Sequence, residues 1–171
     1  MEDLGSNLYK CMKSSCQPTI IIDFVLFNSE YCRMEFHTKL IIVATDFSEN
    51  ALYALKASVD FLHIPQSRLV IVHVEDVKDN EQLHMANLKL DTYIKNFFKH
   101  NEPIPVPERV VISNASVYKG IVDYIQKMEP YMLVMGAKGS SNIRNLHVGS
   151  NTVHLLEKAT CPVVVVPIMN G

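Results

Sequence analysis

Five short apolar runs, at residues 40–44, 69–74, 110–112, 131–135 and 163–166, alternate along the chain with amphipathic stretches of helical period. Nearly continuous apolar runs, broken only by His73, suit strands covered on both faces, and such strands belong to parallel sheets. Ser48 opens the first helical stretch as an N-cap, and Leu52, Leu55, Val59 and Leu62 recur at helical spacing until Pro65 intervenes. Leu83, Ala86, Leu90, Tyr93 or Ile94, and Phe97 form the stripe of a longer second helix, broken by Pro103, Pro105 and Pro107. Ser116 stands as cap to a third helix with the inner face Val117, Ile121, Ile125 and Met128, stopped by Pro130; residues 150–159 form the fourth. The order βαβαβαβαβ predicts an α/β fold: one doubly wound, Rossmann-like, five-stranded parallel sheet with helices on both faces. In such sheets a ligand sits beyond the carboxyl ends of the strands, where the strand order reverses.

One of those ends carries the chain's most specific motif. Behind the fourth apolar run come Gly136, Gly139, Gly149 and Ser150, with nine residues between the second and third glycines. Gly136 and Gly139 lack a Cβ, so the chain there is free to take positive φ and to let a ribose or pyrophosphate approach closely. Gly149 and Ser150 would open the last helix, whose first amides have no intrahelical partner and whose dipole favours negative charge. The intervening residues hold no acid, and Lys138 and Arg144 add positive charge. The spacing is neither a Walker A loop nor a dinucleotide fingerprint. From the residues alone, an ordinary glycine loop with Ser150 as a plain N-cap stands beside the phosphate-holding reading.

Gly136-x2-Gly139-x9-Gly149-Ser150 resembles, without gaps, the signature of ATP-binding members of the universal stress protein family. Val43-Ala44-Thr45-Asp46, closing the first strand, and His73-Val74, closing the second, are similar to the family pattern, and the resemblance covers about residues 38–167. It implies the strand order 3-2-1-4-5, which brings Asp46 and the glycine loop to one crevice. The implied contacts for an adenine nucleotide are Ala44, Thr45, Asp46, Val74, Met135, Gly136, Lys138, Gly139, Gly149, Ser150 and Asn151. Asp46 would face the nucleoside, accepting from a ribose hydroxyl or another donor. The implied ligand is ATP, AMP or ADP, with Mg²⁺ as a possible companion. The resemblance also implies a homodimer through Val163–Val166, a valine strand at a sheet edge; the alternative is that Pro162 and Pro167 simply protect that edge.

No acid lies between Gly136 and Leu156, so the phosphate end lacks a base to activate water or a carboxylate to hold Mg²⁺. The expected function is a nucleotide-binding stress-response regulator with little or no hydrolysis, with no catalytic or metal-ligating residue. A slow ATPase or phosphotransferase, and a nucleotide-independent dimeric stress protein, are the alternatives. His73 reads as a backbone-satisfied strand residue, His147 and His154 lack ligand-spaced partners, and Met128, Met132 and Met135 read as core.

A formal charge of −2 without a basic stripe gives no basis for nucleic-acid binding. Cys11, Cys16, Cys32 and Cys161 show no disulfide or zinc spacing, which suits free thiols in a reducing, cytoplasmic setting. Residues 1–37 form an extension ahead of the domain at 38–168, expected to be flexible or weakly docked as an extra strand. Its apolar stretch 20–27 contains Asp23 and is too short to span a bilayer core of about 30 Å. Glu2, Asp3 and the lack of a small-x-small site after Phe27 argue against a signal peptide. Translation from Met34 is a hypothesis that an intact mass containing residues 1–33 would refute.

Overall fold

The apolar runs become strands of one sheet, the third of them, at 110–112, lying at its edge and only partly buried. The computed structural model describes residues 38–99, 106–139 and 148–167, together with the backbone pairing of residues 20 and 21. Its strands are β1 (Ile20–Ile21), β2 (Lys39–Ala44), β3 (Ser67–Glu75), β4 (Glu108–Ser113), β5 (Met132–Gly136) and β6 (Val163–Val166). Across the sheet they run β1-β6-β5-β2-β3-β4. Strands β2 to β6 are all parallel, and numbered among themselves they take the order 3-2-1-4-5. The expected free edge at β6 is corrected, because β1 pairs antiparallel with it, Ile20 opposite Val165 and Ile21 opposite Val164. Of the extension, only this extra strand falls among the described residues; Cys11, Cys16, Cys32 and Met34 lie outside them.

Among the described residues four α-helices cover the sheet: α1 (Glu49–Asp60), α2 (Asn80–Phe98), α3 (Val117–Met128) and α4 (Ser150–Lys158). Side chains alternate across a strand, so β2 supplies Ile41 and Val43 to one face and Leu40 and Ile42 to the other. On the first face α1 and α2 bury Ala54, Leu55, Leu90 and Ile94 against Ile71 and Val134. On the second, α3 and α4 bury Ile121, Ile125 and Leu155 against Val70, Val72 and Leu133. Leu55 is fully buried, and truncating such a leucine to alanine typically costs about 2–5 kcal/mol.

The inner face of α1 is Ala51, Ala54, Leu55 and Ser58, rotated from the expected Leu52, Leu55, Val59 and Leu62. Small residues win because the helix sits close on β5: a Cβ on Gly136 would lie 2.9 Å from the backbone of Asn50. Ser58 survives burial by donating its hydroxyl to the Leu55 carbonyl at 2.7 Å. Val117, expected in the core, is 38% exposed. Ser116 occupies the N-cap position of α3 without a side-chain cap bond; its amide donates instead to Asn114 Oδ1 at 2.9 Å. Strand β5 begins one residue later than expected, Tyr131 being exposed while its amide donates to the Leu40 carbonyl. Pro103 and Pro105 lie outside the described residues.

Candidate functional site

Strands β2 and β5 are neighbours, but their connections leave in opposite directions, which makes the gap beyond their carboxyl ends the switch point. On the β2 side, Thr45 continues the ladder by donating its amide to the Val72 carbonyl at 2.9 Å. The chain then turns sharply. Phe47 donates its amide to Thr45 Oγ1 and Ser48 donates to Asp46 Oδ1, each at 3.1 Å. Ser48 caps α1 as expected, its Oγ accepting from the Ala51 amide at 3.2 Å. The Asp46 carboxylate is therefore anchored at the start of a helix by the turn that follows it.

Phe47 takes φ 64°, a left-handed conformation rare for a bulky residue. Such a state costs on the order of 1–3 kcal/mol and persists where surroundings enforce it. Those surroundings are the His73 ring at 4.3 Å, the edge of Tyr93 at 5.3 Å and the ammonium of Lys89, 4.3 Å from the ring centre. His73 is buried and its Nδ1 lies 2.9 Å from the Thr45 carbonyl, so Nδ1–H donates there and pins the turn. Its Nε2 stands 3.3 Å from Glu75 Oε2. The Tyr93 hydroxyl is buried with no hydrogen-bond partner among the described residues. Burial raises its pKa, Thr45 acts in the opposite direction, and the Asp46 carboxylate adds to the rise.

On the β5 side the three glycines do different jobs. None has positive φ, which corrects the expected use of left-handed backbone. Gly136 is needed for the close approach of α1. At Gly139 a Cβ would lie 2.7 Å from Asp46 Oδ2, so the carboxylate and the glycine turn share one small space. Among the described residues a Cβ on Gly149 would meet nothing closer than 3.5 Å, and its amide donates to the Ala137 carbonyl at 2.8 Å. The Ala137 amide is likewise taken by the Val166 carbonyl.

Gly149, rather than Ser150, is the N-cap of α4, and it brings no side-chain cap. The first-turn amides of Ser150, Asn151 and Thr152 are thus left without an intrahelical acceptor, facing the carboxyl end of β5. A helix end of this kind attracts anionic oxygens. Thr152, absent from the expected set, fixes it in place: 2% exposed, it donates its hydroxyl toward the carbonyls of Gly136 at 3.3 Å and Ala137 at 3.4 Å.

The remaining expected residues divide by burial. Ala44 is half-buried at the end of β2, and Lys138 is half-buried beside Gly149. Val74 and Met135 put their side chains into the core, so only their backbone edges face the crevice. Ser150 and Asn151 are exposed. Arg144, His147 and the rest of 140–147 lie outside the described residues. His154 is exposed, beside the Tyr118 ring. Directly after Val74 opens a cleft of about 580 Å³ lined by Glu75, Asp76, Val77, Asp79, Glu81, Gln82, Met85, Ala86 and Lys89. Its acids repel phosphate and suit hydrogen-bond donors, in contrast to the start of α4, where no acid stands in the first turn. No group of three or more metal-ligating side chains occurs among the described residues, and no described helix is long and apolar enough to cross a membrane.

Residues 37–167 match the Universal stress protein family. The universal stress protein MJ0577 of Methanocaldococcus jannaschii is 23% identical over 157 residues, spanning 78% of this chain and 97% of its own length. The solved structure of MJ0577 superposes with a TM-score of 0.67 at 24% identity, over 78% of this chain and 99% of that one. A universal stress protein in complex with cAMP superposes with a TM-score of 0.59 at 17% identity, over 75% of this chain and 96% of that one. A universal stress protein of Archaeoglobus fulgidus in complex with dAMP gives a TM-score of 0.56 at 18% identity, over 77% and 98%.

Proposed function

Since the chain belongs to the universal stress protein family, we propose that it binds an adenine nucleotide, ATP with AMP or ADP as lesser ligands, and acts as a stress-response regulator. The observation that carries this reading is the contact of Asp46 Oδ2 with the space at Gly139, beside the uncapped start of α4. One crevice thereby offers a carboxylate for a ribose or base donor and, for phosphate oxygens, first-turn amides without an intrahelical acceptor. The cAMP and dAMP complexes of two similar structures favour adenine nucleotides as the ligand class. Mg²⁺ would be held by the phosphates and water, since no described side-chain cluster offers it ligands. Hydrolysis is slow or absent in this reading, because the sequence from Gly136 to Leu156 contains no acid to activate water.

Residues 38–168 constitute the nucleotide-binding domain in this proposal, with residues 1–37 as its extension. A cytoplasmic location suits the free, buried Cys161. The assembly is a homodimer through Val163–Val166, bounded by Pro162 and Pro167, which lack amide donors. Calorimetry with ATP and AMP tests the ligand. Saturable binding, weakened about tenfold or more by Asp46→Ala, is expected. No heat at millimolar nucleotide, together with no nucleotide extracted from freshly purified protein, would overturn the reading.

A further inference from the structure

The outer edge of β6 meets a segment from outside the βα series. Every neighbour within β2 to β6 is parallel, as crossover connections require, but β1 runs antiparallel. An antiparallel neighbour is also what a second copy supplies, because two identical strands related by a two-fold axis must oppose each other. Placing that axis between Val164 and Val165 sets a partner's Val164 opposite Val165 and its Val165 opposite Val164. Ile20 and Ile21 already stand in those two slots, Ile20 opposite Val165 and Ile21 opposite Val164.

We propose that β1 is an intramolecular substitute for the β6 strand of a second copy, so that residues 20–21 compete with self-association at this edge. The inference rests on the homodimer reading above. Lengths favour exchange. β1 pairs with two of the four valines, whereas a second β6 reaches all four, with Val163 opposite Val166. Pro162 and Pro167 confine either ladder to those four residues. All four valine side chains are buried with β1 in place, and what the two occupants share is the row of β6 backbone hydrogen-bonding groups. Segments from residues 1–37 would thus set how readily two copies meet, and a chain lacking them would present an open edge.

Sedimentation and light scattering of the full chain across micromolar concentrations test this with two variants. Ile20→Pro with Ile21→Pro removes both amide donors of β1 while leaving β2 to β6 untouched. Ile20→Cys with Val165→Cys joins residues that face each other across an antiparallel pair, where Cα atoms about 4.5–5.5 Å apart accept a disulfide. The four native cysteines are replaced by alanine in that second variant and its control. The proline variant should dimerise about tenfold more tightly than the wild type. The oxidised locked chain should stay monomeric, and reduction should restore the control's behaviour. A dimer of equal strength in all forms overturns the competition and leaves the homodimer standing. Monomers in every form, the proline variant included, overturn the homodimer and the competition together.

Discussion

A methyl group at position 139 would stand 2.7 Å from Asp46 Oδ2, closer than such atoms approach without displacement. Because the obstacle is the end of a side chain, Gly139→Ala should move the carboxylate and spare the backbone. Adenine-nucleotide affinity is expected to fall about tenfold while the melting temperature stays near that of the wild type, as calorimetry and thermal unfolding would show. An equal loss of both would mean that Gly139 serves the fold. Asp46 was legible in the sequence because it follows an apolar strand and pairs with a glycine motif at a matching strand end. Phe47 was not, since nothing in an aromatic residue's type signals a left-handed backbone. Thr152 was equally hidden: its hydroxyl reaches the carbonyls of Gly136 and Ala137, some fifteen residues earlier, and only the folded chain brings them together.

The start of α4 is a helix end whose cap carries no side chain. Among the described residues nothing lies closer than 3.5 Å to a Cβ on Gly149, and its φ of −73° suits any residue. Gly149→Asp should therefore supply the missing acceptor, stabilising the protein by a few tenths of a kcal/mol in denaturant unfolding. The same carboxylate would occupy the free amides and repel phosphate, so nucleotide binding should drop about tenfold or more. Gain of stability with loss of binding separates this residue from Gly136, which serves packing. Elements were readable where polarity alone decided them, as in β2 and β6. The inner face of α1 escaped because the sequence displays its leucines and valine, while the requirement for closeness to Gly136 selects Ala51, Ala54 and Ser58 instead.

At the scale of the molecule, the parallel sheet followed from alternating apolar runs and helical stripes, but its strand order came from family resemblance, since any order satisfies the same burial pattern. The occupant of the β6 edge was readable only as an option, because two isoleucines carry no address for their partner strand. The integrity of the whole can be followed at Cys161, buried in the core of the α3 and α4 face. Burial pushes its thiol up to about 11, with a backbone hydrogen bond from Leu133 acting in the opposite direction. The folded pKa lies above the unfolded one, so its contribution to stability is present below about pH 8.5 and lost as pH climbs toward 11. At pH 8 the folded thiol should resist iodoacetamide and label only as fast as the protein opens, a rate that urea should raise; prompt labelling in native buffer would contradict the burial. The Gly149 amide meets the Ala137 carbonyl at 2.8 Å, drawing together the two ends of residues 138–148. With its two ends tied together in this way, the segment between them can change in sequence or length without altering how β5 and α4 leave the sheet.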